Sequence, residues 1–118
     1  MYNRMVVDQS GDVDRIFGAL ADPTRRDIVA RVMRQGASVS ALAECYAMTF
    51  AAVQRHVAVL ERAGLVTKEP RGRERLVRGE VDTIRAAARL LEEYEEIWRG
   101  RIGRIEDLLT EHQRGDAP

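Results

Sequence analysis

The stretch from Met48 to Val66, MTFAAVQRHVAVLERAGLV, constrains the chain more than any other. Thr49 can accept hydrogen bonds from the free N–H groups of a first helical turn, and Gly64 can take the left-handed conformation that ends a last one. The stretch therefore predicts a helix from Thr49 to Ala63 that is bounded at both ends. Val53, Val57, Leu60 and Gly64 recur at spacings of four, three and four, and so share one face. Ala51, Gln54, Arg55, Ala58 and Arg62 lie roughly opposite. Gln54 and Arg55 carry planar side chains that bond bidentately, Arg to guanine and Gln to adenine, and the small Ala51 and Ala58 permit close approach to a major groove. The same face also fits an ordinary solvated helix, so the rest of the chain has to decide.

A chain of 118 residues is expected to form one domain (1–118) with a modest core, and is short for an enzyme with a deep cleft. Its hydrophobic and charged fractions fit a globular protein rather than a disordered one. No apolar run is long enough for a membrane span and MYNRMVVDQSGDVDR lacks the core of a signal peptide, so no membrane partner and a cytoplasmic location are expected. Cys45 is the single cysteine, too few for an internal disulfide or a multi-thiolate metal site. The zero net charge is uneven along the chain. From Pro23 to Gly79 eleven basic residues face five acidic ones, a local charge of +6 that the flanks cancel. A basic centre can meet phosphates while acidic flanks face elsewhere.

In chain order, Asp12 or Asp14 opens a first helix with Val13, Ile16, Phe17 and Leu20 as its apolar side. Asp22 caps a second helix beginning at Pro23, in which Ile28, Val29, Val32 and Met33 form the buried stripe. Ala37 to Ser40 is a short extended link, with Ser38 or Ser40 capping a third helix that contains Leu42, Ala43 and Tyr46. Together with the helix at Thr49 this is a helix-turn-helix arrangement. Leu65–Glu69 and Glu74–Arg78 read as two strands joined by a turn at Pro70-Arg71-Gly72-Arg73. This hairpin, or wing (65–79), completes a DNA-binding core over 12–79. Its tip carries Arg71 and Arg73 with Arg75 close behind, placed for a phosphate or a minor groove.

From Val81 to about residue 112 the pattern is helical. Ile84, Leu91, Trp98 and Ile105 fall seven apart, and Ala88, Ile102 and Leu109 fill the seam. A helix this long on so small a domain implies a homodimer through this seam, with Phe17 of the first helix joining it. Gly100 and Gly103 weaken the helix by roughly 1 kcal/mol each relative to Ala, so a kink or a close contact is expected there, with fraying from Arg114. The fold class expected is mostly α with a small β-hairpin wing: a winged helix-turn-helix, homodimeric through its terminal helices.

Leu20-Ala21-Asp22-Pro23-Thr24-Arg25-Arg26 and Val53-Gln54-Arg55-His56-Val57, with Leu60 and Ala63-Gly64-Leu65-Val66, resemble the ArsR/SmtB family of bacterial winged helix-turn-helix repressors. The likeness runs from about Val13 to Leu109, and Trp98 to Leu109 resembles the subgroup with no recognised metal site. It implies a symmetric dimer on a palindromic operator that blocks transcription. The departures are informative. Where metal-sensing members carry Cys-x-Cys, this chain has Ser38 and Ser40, whose hydroxyls stay protonated and are poor ligands for soft or borderline metals. The zinc ligands that other members carry on the last helix are represented only by His112. Neither familiar metal site nor any cofactor is therefore expected. The family often has Ser at Gln54 and a polar residue near Phe50, so operator preference does not carry over. Phe50 is either a thymine-methyl contact or a plug between helices, with core the favoured reading.

Cys45 reads as a helical core filler, with a redox switch as the alternative. His56 reads as structural or phosphate-contacting. An enzyme is excluded by the lack of a phosphate loop or an activated nucleophile, and Glu92, Glu93, Glu95 and Glu96 read as a solvated face. The expected function is sequence-specific binding to double-stranded DNA. Thr49 and Ala51 lie at the helix start, Gln54 and Arg55 read bases, Arg71, Arg73 and Arg75 hold the flanks, and Arg25 or Arg26 clamps a phosphate. The rival reading is a winged-helix dimer that binds another protein instead of DNA. The effector is not legible.

Overall fold

The computed structural model describes residues 11–115, with side chains as far as His112. The signal-peptide reading and most of the expected fraying at Arg114 fall outside them. The order is α1 (Asp12–Leu20), α2 (Pro23–Arg34), β1 (Ala37–Ser38), α3 (Val39–Ala43), α4 (Phe50–Arg62), β2 (Val66–Arg71), β3 (Glu74–Gly79) and α5 (Val81–Gly115). It is a winged helix-turn-helix, mostly helical with a small antiparallel sheet. The chain divides into two compact units, the boundary falling within α5 after Ala87.

In the first unit the helix boundaries follow local chemistry. Asp22 accepts from the backbone N–H of Arg25 at 3.0 Å, with Pro23 in the first turn of α2, where its missing N–H costs nothing. That N–H, with smaller help from nearby His56, holds the Asp22 carboxyl below its ordinary value. Thr49 caps α4 through Ala52 N–H, at 3.1 Å. At the other end Gly64 N–H bonds to the Glu61 carbonyl and Leu65 N–H to that of Leu60, with φ of 77° at Gly64, the hydrogen-bond pattern of a Schellman stop. Thr83 Oγ1 donates to the Gly64 carbonyl at 2.6 Å and ties the start of α5 to this turn. α1 opens at Asp12, one of the two residues expected to open it, with Gly11, at φ 76°, in the cap position and no side-chain bond there.

Val53, Val57 and Leu60 of α4 are fully buried with Ile28, Leu42, Leu65, Val66 and Val77. Each such side chain contributes about 1.5–3 kcal/mol relative to exposure, so the inner face of α4 is the centre of this core. Met33 does not share the buried stripe of α2. It is 37 % exposed and lies over the backbone of Gly79, where a methyl group would sit 2.4 Å from its sulfur.

The structure corrects the sequence reading in the sheet and in the turn before α4. The sheet has three strands in the order β1-β3-β2, because Ala37 and Ser38 pair with Val77 and Leu76 instead of forming a free link. Pro70 lies inside β2, paired with Arg75, so the turn is only Gly72-Arg73. An edge strand tolerates a residue without N–H, and a φ of 63° at Gly72 fits a two-residue type II′ hairpin. The third helix ends at Ala43, leaving Cys45 and Tyr46 in the turn before α4. Cys45 is exposed, which overturns its reading as a helical core filler.

In the second unit α5 is unbroken through Gly100 and Gly103, and a side chain at either would meet no atom within 4 Å. Its apolar residues are open, with Trp98 56 % and Leu109 60 % exposed and Leu91, Ile102 and Ile105 exposed as well. Tyr94, Ile97 and Leu108 widen this surface beyond the expected seam. Arg99 pairs with Glu95, and Arg101 lies 5.8 Å from the Trp98 ring centre.

Candidate nucleic-acid interface

The outer face of α4 follows from its inner one. With Val53, Val57 and Leu60 fixed in the core, helical geometry turns Ala51, Gln54, Arg55 and Arg62 outward, and all four are exposed. Thr49 is exposed at the cap, while Ala58 is half-buried. Pairing of Arg71 with Glu74 across the wing extends both strands to its tip, and Arg71, Arg73 and Arg75 are exposed there. A cleft of about 240 Å³ joins the two elements, lined by Phe50 and Gln54 of α4 and by Lys68, Arg73, Glu74 and Arg75 of the wing, with Ser38, Val39 and Ser40 closing one side.

Arg55, Arg71, Arg73 and Arg75 make no ion pair or side-chain hydrogen bond with another described residue. Their charge is available. Two other basic residues of the centre are paired: Lys68 lies 3.7 Å from Glu61, and Arg78 lies 3.4 Å from Glu69.

Arg25 and Arg26 turn elsewhere. Arg25 is half-buried, and its Nε and Nη2 donate to the carbonyls of Ala19 at 2.7 Å and Gly18 at 3.2 Å, while Arg26 Nη1 donates to Leu20 at 2.7 Å. These are carbonyls of the last turn of α1, of which that of Gly18 also accepts from the Ala21 N–H at 3.2 Å. Arg25 Nη1 also lies 3.4 Å from His56 Nδ1, with Asp22 Oδ2 3.9 Å from the same nitrogen. Arg25 and Arg26, one or the other of which was expected to clamp a phosphate, thus fasten α1 to α2, and His56 ties α4 to that corner.

Two features depart from the favoured sequence reading. Tyr46 donates its hydroxyl to Asp27 Oδ2 at 2.5 Å, Arg31 Nε donates to the same oxygen at 2.7 Å, and the Arg31 guanidinium lies 5.5 Å from the Tyr46 ring centre. The Tyr46 and Arg31 bonds hold the Asp27 carboxyl below its ordinary value, while partial burial and the bond to Asp27 push Tyr46 up to about 12. This cluster anchors the turn before α4 to α2. The second is Phe50, which is 46 % exposed and absent from the core, contrary to the favoured reading.

Ser38 uses its hydroxyl as a cap, accepting from Ala41 N–H at 3.1 Å. Among the described residues no three His, Cys, Asp or Glu side chains gather as a metal site, and no helix is long and apolar enough to cross a membrane. Phe17 and Ile84 of the expected dimer seam are half-buried against the core of their own protomer. Ala88 is half-buried as well.

Comparison with known proteins places these features. Residues 20–69 match a family model described as a helix-turn-helix domain. An HTH-type transcriptional regulator of Mycobacterium tuberculosis is 41 % identical over 63 residues, which cover 53 % of this chain and 59 % of that regulator's length. A crystal structure of an ArsR family transcriptional regulator superposes with a TM-score of 0.72 at 33 % identity, over 80 % of this chain and 97 % of that one. The homodimeric winged helix-turn-helix DNA-binding domain of a Mycobacterium bovis protein, solved in solution, shares the fold with a TM-score of 0.60 at 21 % identity, over 79 % and 92 % of the two chains.

Proposed function

The chain belongs to the ArsR family of transcriptional regulators, and from that premise we propose that it is a dimeric repressor that binds a palindromic operator. Each protomer seats α4 in a major groove, where Gln54 and Arg55 meet base edges and the small Ala51 lets the helix approach. Thr49 fixes the helix start. Arg71 and Arg73, with Arg75, meet the backbone or the adjacent minor groove. The observation that carries this reading is a cleft lined by Gln54 of α4 together with Arg73 and Arg75 of the wing.

Dimerisation is supported by the exposed apolar residues of α5, Leu91, Trp98, Ile102, Ile105 and Leu109. A surface of this kind is covered in a stable protein, and a second copy covers it symmetrically. The two copies of α4 then address half-sites about one helical turn apart. Occupying a promoter in this way blocks transcription without any metal, so the complex is expected to ignore chelators.

The test is an electrophoretic shift on the fragment upstream of the protein's own gene, with random DNA as competitor, at fixed salt, with and without chelator. The expected result is a specific complex of two protomers that survives chelation. Loss on chelation would reveal a metal requirement. A protein that forms dimers but no specific complex on any fragment would instead be a protein-interaction module.

A further inference from the structure

Among the described residues Phe50 is the only large hydrophobic side chain of α4 that is exposed, and it belongs neither to the core nor to the side chains packed against it. The Thr49 cap fixes the turn that carries it. Phe50 and Gln54 are four residues apart, so they stand one above the other on the helix surface, and both line the cleft shared with Arg73 and Arg75. The first turn of a recognition helix is the part that reaches base edges. A phenyl ring has no donor or acceptor with which to hold a phosphate or a base edge. The one apolar feature that the major groove offers is the C5-methyl group of thymine.

We infer that Phe50 is a specificity determinant that packs on the C5-methyl group of a thymine next to the adenine read by Gln54. The inference rests on the DNA-binding reading above and adds a base that no hydrogen-bonding side chain recognises. Cytosine at this position would lack the methyl group and place its amino group against the ring. The wing arginines, held across the same cleft, are positioned for the flanking phosphates.

The experiment begins with an operator selected by the full-length protein from a pool of random duplexes. Each thymine of the selected site is then replaced in turn by deoxyuridine, which pairs identically and lacks only the methyl group. One thymine in each half-site is expected to matter, its replacement weakening the wild-type complex about fourfold, the effect of exposing one buried methyl. Phe50→Ala should bind the thymine and deoxyuridine forms of that position alike, near the wild-type affinity for the deoxyuridine form, with its unfolding temperature unchanged. Phe50→Leu should recover part of the preference. The inference is overturned if no thymine methyl matters, or if Phe50→Ala remains as sensitive as wild type. A pool that yields no common site would remove the DNA-binding reading itself, and this inference with it.

Discussion

The corner where α1 meets α2 and the tip of the wing carry arginines at similar density, yet they use them in opposite ways. Arg25 and Arg26 point back onto three carbonyls at the end of α1. Arg71, Arg73 and Arg75 make no ion pair or hydrogen bond with another described side chain, and Arg55 on α4 resembles them. The difference lies in what each fold puts within reach. The last turn of α1 presents carbonyls that accept from both guanidiniums, whereas no described acceptor takes a hydrogen bond from the arginine side chains of the wing tip. Counting basic residues therefore overstates the charge available to a phosphate.

Arg25→Ala should act most strongly, and on stability. Removing charged hydrogen bonds from the half-buried α1–α2 corner should cost about 2–3 kcal/mol, measured by denaturant unfolding, while the remaining folded protein keeps its DNA affinity. A large affinity loss without destabilisation would erase the contrast between the two regions.

Replacing Arg71 and Arg73 together should have the opposite signature, with stability unchanged within about 0.5 kcal/mol. Affinity for all sequences should fall, and the slope of log affinity against log salt should become shallower by about 2, one unit of contact for each arginine.

Tyr46→Phe should have the smallest effect, a modest drop in unfolding temperature at neutral pH that fades at both extremes. Asp27 is held below its ordinary 3.8, so its contribution is present above that pH and is lost as the pH falls through the lowered value. Tyr46 is raised from 10.0 to about 12, so its contribution is complete below 10 and is lost as the pH rises through about 12. Wild type and variant should converge at either limit. Parallel curves across the whole range would show that the Tyr46–Asp27 bond contributes nothing.

What could be read from the sequence was local. Asp22, Thr49 and Gly64 act within a few residues of themselves, and each stands where its own chemistry predicts. The apolar spacing of α4 defined its inner face, and therefore its outer one. Contacts that depend on the fold left no such mark. Tyr46 meets Asp27 across nineteen residues of sequence, and Ala37–Ser38 becomes a strand only because β3 passes beside it. Pro70 looked like a turn residue because its edge position is a property of the sheet. For Arg25 and Arg26 the sequence supplied charge and the fold supplied its target. The exposure of Phe50 and Cys45 was misjudged because an apolar or sulfur side chain near a core is ordinarily inside it.

The central claim is that α4 reads bases through side chains the fold leaves free. It is tested most directly by the ratio of affinities for the selected operator and for random duplex, compared between wild type and Arg55→Ala at one salt concentration. Loss of about 1–3 kcal/mol on the operator, little change on random DNA and relaxed preference at one base pair are predicted. Equal losses on both duplexes would contradict the account, because Arg55 would then be holding the backbone and not reading a base.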